Sequence, residues 1–158
     1  PWDGLIRRFK FRAQPELATL FAGLLRDALH DEPAPDLALP APLSEARLRE
    51  RGFNQSWEIA RRVARQVGTP AHAGVLERVL STAHQIRLTR AERERNLRAA
   101  FTVPAAARGR LAARRVALVD DVLTTGATAR EAAQALLRAG AAAVELWVLA
   151  RTPAPAAA

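Results

Sequence analysis

The sequence predicts an α/β fold, a single domain built on a mainly parallel sheet flanked by helices. Three observations predict it. A short apolar run at 116–119, flanked by charges, reads as a buried strand, and residues 126–139 read as a helix with Ala129, Ala132, Ala133, Leu136 and Leu137 turned inward. A second apolar run at 144–149 follows the helix-ending Gly140. Strand, helix and strand in that order make a parallel crossover unit. The length of 158 residues suits one domain. A chain of that size can bury roughly 70% of its unfolded surface without a disulfide or metal staple.

The remaining elements follow from the same patterns. Residues 1–14 are basic and mixed and show no period. Pro15 opens a helix whose apolar face is Leu17, Leu20, Phe21, Leu24, Leu25 and Ala28, and Pro33 and Pro35 end it. An extended run at 36–39 leads into Pro40, Ala41 and Pro42, where proline holds the backbone in extended or turn geometry. A second helix spans 54–67, with Trp57, Ala60, Val63, Ala64 and Val67 inward and Gly68 and Pro70 closing it. Residues 75–80 read as a strand. Residues 81–98 are polar and rich in arginine, and Thr89 with Glu92 has the spacing of a capping box. The domain is assigned to 1–152, and the Pro/Ala-rich stretch at 153–158 to a frayed tail.

Composition excludes several classes of chemistry. There is no cysteine, so disulfides, thiolate zinc sites and a thiol nucleophile are ruled out. The longest apolar stretch, 136–150, is interrupted by Arg138, Gly140 and Glu145 and is too short and too charged to span a bilayer. The first residues lack the apolar core and small-residue cleavage site of a signal peptide, and the expected location is the cytoplasm. The net charge is +8, and Lys10 is the only lysine among the basic residues. Such a surface suits polyphosphate ligands or nucleic acid, and it is also what a merely solvated basic surface looks like.

The chemistry concentrates at 116–128. A buried strand delivers Asp120 and Asp121 to its carboxyl end, and Thr124, Thr125, Gly126, Ala127 and Thr128 lead into a helix. Ligands of open α/β sheets bind at that edge. The helix start offers free N–H groups and the positive end of its dipole, and glycine lets the backbone approach an anion. With three threonine hydroxyls this makes a phosphate-monoester site. Two carboxylates beside it suit the vicinal hydroxyls of a sugar or a hydrated magnesium ion. Phosphate, diol and metal together describe a ribose 5-phosphate. A receiver domain also carries paired aspartates after a strand, but near its start, whereas here too little chain follows position 120.

The loop resembles the phosphoribosyl pyrophosphate motif of type I phosphoribosyltransferases, ungapped over 116–128: an apolar strand, two acids, then T-T-G-x-T. More of the chain, roughly 4–152, resembles one branch, the ComF family of competence-associated proteins. Arg51, Gly52, Phe53, Asn54 and Gln55 spell its RGFNQ motif; Gln85, Glu94, Arg95 and Asn96 match its Q…ER.N stretch; Phe101 and the "LAR" ending at Arg151 also agree. Many members carry an N-terminal zinc-binding cysteine cluster, which these residues do not contain, so either this member lacks it or the residues are a fragment.

The resemblance implies a type I phosphoribosyltransferase-like fold and a set of roles. Asp120 and Asp121 would hold the ribose hydroxyls and help seat magnesium, and Thr124, Thr125, Gly126, Ala127 and Thr128 would cradle the 5-phosphate. The turn at Ala41, Pro42 and Leu43 takes the place of the pyrophosphate-binding loop. Arg51 or the 82–95 segment, with Gln85 and Arg95, would cover the site. Purely local readings stand beside these: Gly52 as a turn residue, Asn54 as a helix cap, and the arginines of 87–98 as a solvated face. Purine-salvage members usually carry an acid four residues after the first of the pair, where this chain has Thr124, which argues against a purine acceptor. Three functions stay open: a phosphoribosyltransferase of unidentified nitrogen acceptor, a non-catalytic phosphoribosyl pyrophosphate or nucleotide sensor, and a competence factor binding single-stranded DNA or a helicase. Association as a homodimer is also left open.

Overall fold

The structure is a computed structural model and describes residues 2–11, 14, 16–79 and 100–152. The elements are α1 (Trp2–Phe11), α2 (Leu17–Ala28), β1 (Leu37–Pro40), α3 (Glu45–Arg51), α4 (Gln55–Val67), β2 (Glu77–Arg78), β3 (Phe101–Thr102), a 3-10 turn (Ala105–Arg110), β4 (Arg115–Leu123), α5 (Ala127–Arg138) and β5 (Ala143–Arg151). The main sheet has the order β1-β4-β5, and both pairings are parallel. A parallel bridge from Ala71 to Ala38 extends it at the β1 edge. β2 and β3 form a separate antiparallel ladder.

Strand pleating divides the core into two layers, because successive side chains point to opposite faces. Ala38, Ala117, Val119 and Trp147 meet α1, α2 and α4, through Phe9, Phe21, Ile59 and Val63. Leu37, Leu39, Val116 and Leu118 meet α5 and β3, through Ala132, Leu136 and Phe101. β4 is thus covered on both faces. This explains why it reads as a continuous apolar run rather than an alternating one.

The predicted crossover is present, with β4 and β5 each running further than the apolar residues alone suggested. Arg151 is the last residue of β5. The helix predicted at 54–67 is α4, and Asn54 is its cap, accepting from the N–H groups of Ser56 and Trp57.

Two helices were not read from the sequence, and three expectations needed correction. Residues 2–11 form a helix where no period was read. A further helix, α3, precedes the RGFNQ motif; Ser44 caps it and Gly52, at φ 76°, ends it. α2 is rotated relative to the predicted face: Ala18, Phe21, Ala22 and Leu25 are buried, while Leu20 and Leu24 are exposed. Alanines on that side let α2 lie close to α4, whose own Ala60 and Ala64 face the same core. In α5 likewise Leu137 is exposed and Ala135 is buried. The strand expected at 75–80 is reduced, within the described residues, to the two-residue β2. Gln85, Arg95, the capping box at 89–92 and the tail at 153–158 lie outside the described residues.

Candidate functional site

The carboxyl end of β4 opens into a cleft of about 350 Å³. It brings together Asp120, Asp121, Thr124, Gly126 and Thr128 with Ala41, Pro42, Leu43 and Arg51, as the sequence grouped them. Lys10, Arg47, Gln55 and Arg78 also line it and were not predicted as site residues. Thr125 lies on the other side of the loop, in a hollow shared with Arg130 and Arg151. Its hydroxyl accepts from the N–H of Ala127 at 3.4 Å, a long bond that closes the first turn of α5.

The acids are held tightly. Asp121 extends the pleat side of Ala117 and Val119, towards α1 and α4, and is buried. Its Oδ2 accepts from Gln55 Nε2 at 3.3 Å and pairs with Lys10 Nζ at 3.0 Å. Asp120 Oδ1 accepts from the Ser56 hydroxyl and from the Asp121 N–H, both at 2.9 Å. Burial pushes the Asp120 carboxyl above its ordinary range, and the charge of Asp121 adds to this; the Asp121 N–H, the Ser56 hydroxyl and Lys10 oppose it. Both α4 contacts come from its first turn, so the Asn54 cap also sets the position of the carboxylates. Asn54 Nδ2 donates to the Ala41 carbonyl at 3.1 Å, which ties the same cap to the 41–43 turn. Ala41 in turn donates its N–H to the Val119 carbonyl at 2.8 Å.

The loop beyond the acids turns through Gly126, which sits at φ 77°, where a side chain is strained. The start of α5 lies at the cleft, and a helix N-terminus with its free N–H groups favours an oxyanion. The loop's near end is anchored from a distance: the Leu123 carbonyl accepts from the Thr152 N–H at 3.0 Å. Arg47 and Arg51 of α3 and Arg78 of β2 line the same cleft. The Arg78 guanidinium lies 5.7 Å from the centre of the Phe101 ring, a stacked cation that keeps it at the cleft mouth.

Among the described residues no group of three or more histidine or acidic side chains forms a metal cage. Two carboxylates at the mouth of an anion site do fit magnesium, which keeps several waters and takes oxygens from its phosphate ligand. Sequence reasoning missed Lys10, Arg47, Gln55 and Arg78. Lys10 carried one weak signal, as the only lysine of the chain, and Gln55 was visible within RGFNQ but had no role attached.

A parallel α/β sheet with a glycine-containing loop and paired acids at its carboxyl edge is the arrangement in which open α/β domains place a ligand site. Residues 55–158 match the Phosphoribosyl transferase domain family. The chain is 36% identical over 157 residues to "Competence protein F" of Haemophilus influenzae, covering 96% of this chain and 68% of that one. It is 38% identical over 158 residues to "DNA utilization protein YhgH" of Escherichia coli K12, with the same 96% and 68% coverage. The glutamine phosphoribosylpyrophosphate amidotransferase of B. subtilis, solved with ADP and GMP, superposes on 90% of this chain and 30% of its own, with a TM-score of 0.62 and 20% identity, which supports the fold. The chain therefore belongs to the phosphoribosyl transferase domain family, in the branch of the ComF and YhgH proteins. Among the described residues no helix is long and apolar enough to cross a membrane.

Proposed function

We propose that the cleft binds phosphoribosyl pyrophosphate together with magnesium and transfers the phosphoribosyl group to a nitrogen acceptor. The observation that carries this reading is the placement of two carboxylates, Asp121 buried and Asp120 half-buried, beside the start of α5 in a cleft that arginines also line. Asp120 and Asp121 accept hydrogen bonds from the ribose hydroxyls. Thr124, Gly126 and Thr128 hold the 5-phosphate through N–H and hydroxyl groups, while Thr125 and Ala127 hold the turn of the loop through their own hydrogen bond. The 41–43 turn and Arg51 face the diphosphate.

In the reaction the acceptor nitrogen forms a bond to the anomeric carbon as the bond to the diphosphate oxygen breaks, and the electron pair leaves with the diphosphate. Positive charge develops on the ring beside the two carboxylates, and negative charge on the leaving group beside the arginines. The site therefore works by positioning and by fixed charge. Magnesium, when bound, offsets charge on the diphosphate. The names of the relatives support a setting in DNA uptake.

Thr124, which supplies no carboxylate, favours a second reading in which the same pocket senses phosphoribosyl pyrophosphate or a nucleotide without turnover. The net charge of +8 leaves room for a third, contact with single-stranded DNA or a helicase. Calorimetry with phosphoribosyl pyrophosphate and magnesium tests the pocket, and no heat of binding from the wild type would overturn the first two readings. Pyrophosphate release across a panel of amines and bases separates transfer from sensing. Binding to single-stranded DNA that weakens steeply with salt would support the third.

A further inference from the structure

We propose that Lys10 is an exchangeable cation of this site: its ammonium pairs with Asp121 and passes to the diphosphate when the metal-bound sugar takes that carboxylate. The proposal rests on reading the cleft as a sugar-diphosphate site, and it concerns a residue outside the phosphate loop and the RGFNQ motif.

Lys10 reaches the site from α1. Its neighbour Phe9 is fully buried and meets Phe21 edge-on at 5.3 Å and Phe53 at 5.9 Å. Phe53 lies between α3 and α4, so these contacts fix the last turn of α1 against the wall of the cleft. From there the Lys10 side chain, 20% exposed, reaches Asp121, whose side chain is 6% exposed. A carboxylate this deeply buried requires a compensating charge.

The compensation uses the oxygen that a ligand needs. Asp121 Oδ2 already accepts from Gln55 as well as pairing with Lys10. A sugar hydroxyl or a metal-bound water seated there meets an ammonium in its way. The ammonium carries a compact charge on a flexible stem and can leave without unfolding α1. It already stands in the cleft that Arg47, Arg51 and Arg78 also line, where an anionic diphosphate would rest. One movement thus frees the carboxylate and adds a cation to the leaving group, which couples α1 to occupancy of the site.

The test uses the full 158-residue chain with Lys10→Met, Lys10→Gln and Lys10→Arg. Manganese, counted by its paramagnetic signal, reports the metal alone. Calorimetry with phosphoribosyl pyrophosphate at saturating magnesium reports the sugar diphosphate. Lys10→Met is expected to bind manganese about tenfold more tightly and phosphoribosyl pyrophosphate about tenfold more weakly, each a change of about 1.4 kcal/mol. Lys10→Gln should shift both in the same senses and serves if the methionine variant does not fold; Lys10→Arg should stay near the wild type. A purely structural lysine would weaken both ligands together or change neither. Unchanged or weaker manganese binding in the neutral variants overturns the proposal, as does movement of both ligands in one direction. A wild type that binds manganese but not phosphoribosyl pyrophosphate overturns the functional reading instead, and the manganese comparison then decides the role of Lys10 alone. Should the wild type bind no manganese, its appearance in Lys10→Met supports the exchange, and its absence there overturns it.

Discussion

The two walls of the cleft are built in opposite ways. The acidic wall with its phosphate loop comes from one continuous stretch, from the end of β4 to the start of α5. The basic wall is gathered from α1, α3 and β2, which contribute Lys10, Arg47, Arg51 and Arg78. The first wall is rigid because β4 is buried on both faces and its acids are already hydrogen-bonded. The second consists of long side chains on short or exposed elements, and α3 buries no residue at all. Under the proposed function, the continuous wall would set where the sugar sits, and the gathered wall would respond to the charge of what the sugar carries.

The largest expected effect breaks the acidic wall. Asp120→Asn with Asp121→Asn should weaken phosphoribosyl pyrophosphate by about 100-fold or more, since two charged hydrogen-bond acceptors are lost at about 1.5–3 kcal/mol each. Ribose 5-phosphate should weaken alongside it in the same calorimetric series. Arg51→Ala sharpens the contrast. It should cost phosphoribosyl pyrophosphate about tenfold through a lost charge-assisted contact while leaving ribose 5-phosphate within about twofold. Equal losses for the two ligands would mean that the walls do not divide the work. Gly126→Ala should lower stability in denaturant melts by about 1–2 kcal/mol, because alanine is strained at the φ of 77° found there.

Asp120→Asn alone should separate binding from stability. Burial and the neighbouring Asp121 raise the Asp120 carboxyl in the folded chain, so the fold holds that proton more tightly than the unfolded chain does. Ionised Asp120 therefore costs stability, and the cost grows as pH rises through the raised value and vanishes below both values. The asparagine variant should melt a few degrees higher than wild type at neutral pH, with the gap closing in acid, although it binds ligand poorly. The smallest effect is expected at a residue that does not line the cleft. Burial pushes the Glu58 carboxyl up, but its bonds to Arg61 and Arg62 outweigh this and hold it below its ordinary value. Its contribution is present near neutral pH and lost as pH falls through that lowered value. Glu58→Gln should cost under about 1 kcal/mol in thermal melts and leave ligand binding unchanged.

The same contrast explains what was legible in the sequence. β4, α5, β5 and α4 bury regular faces, and their periodicity or apolar runs survive in the residues themselves. The acids and the phosphate loop were legible because they are adjacent in sequence and their chemistry is local. α3 has no apolar period to read; Ser44, Gly52 and an i,i+4 pair between Glu45 and Arg49 hold it, and only the turn at Gly52 was visible. α1 turns Ile6 and Phe9 to the core within a basic stretch, too few apolar positions to show a period. The face of α2 was misread because counting leucines favours Leu20 and Leu24, whereas close helix packing selected Ala18 and Ala22. The pairing of Lys10 with Asp121 joins residues more than a hundred positions apart, and no local pattern encodes it.

The bond from the Thr152 N–H to the Leu123 carbonyl has a practical side. It fastens the stretch just after β5 onto the threshold of the phosphate loop. Trimming the chain back to Ala150 would remove that clasp without altering any residue that lines the cleft, and would loosen the loop from behind. A purification tag or fusion partner joined directly after Thr152 would crowd the same place, so a soluble and well-folded preparation could still lose its ligand because of how its tail was engineered.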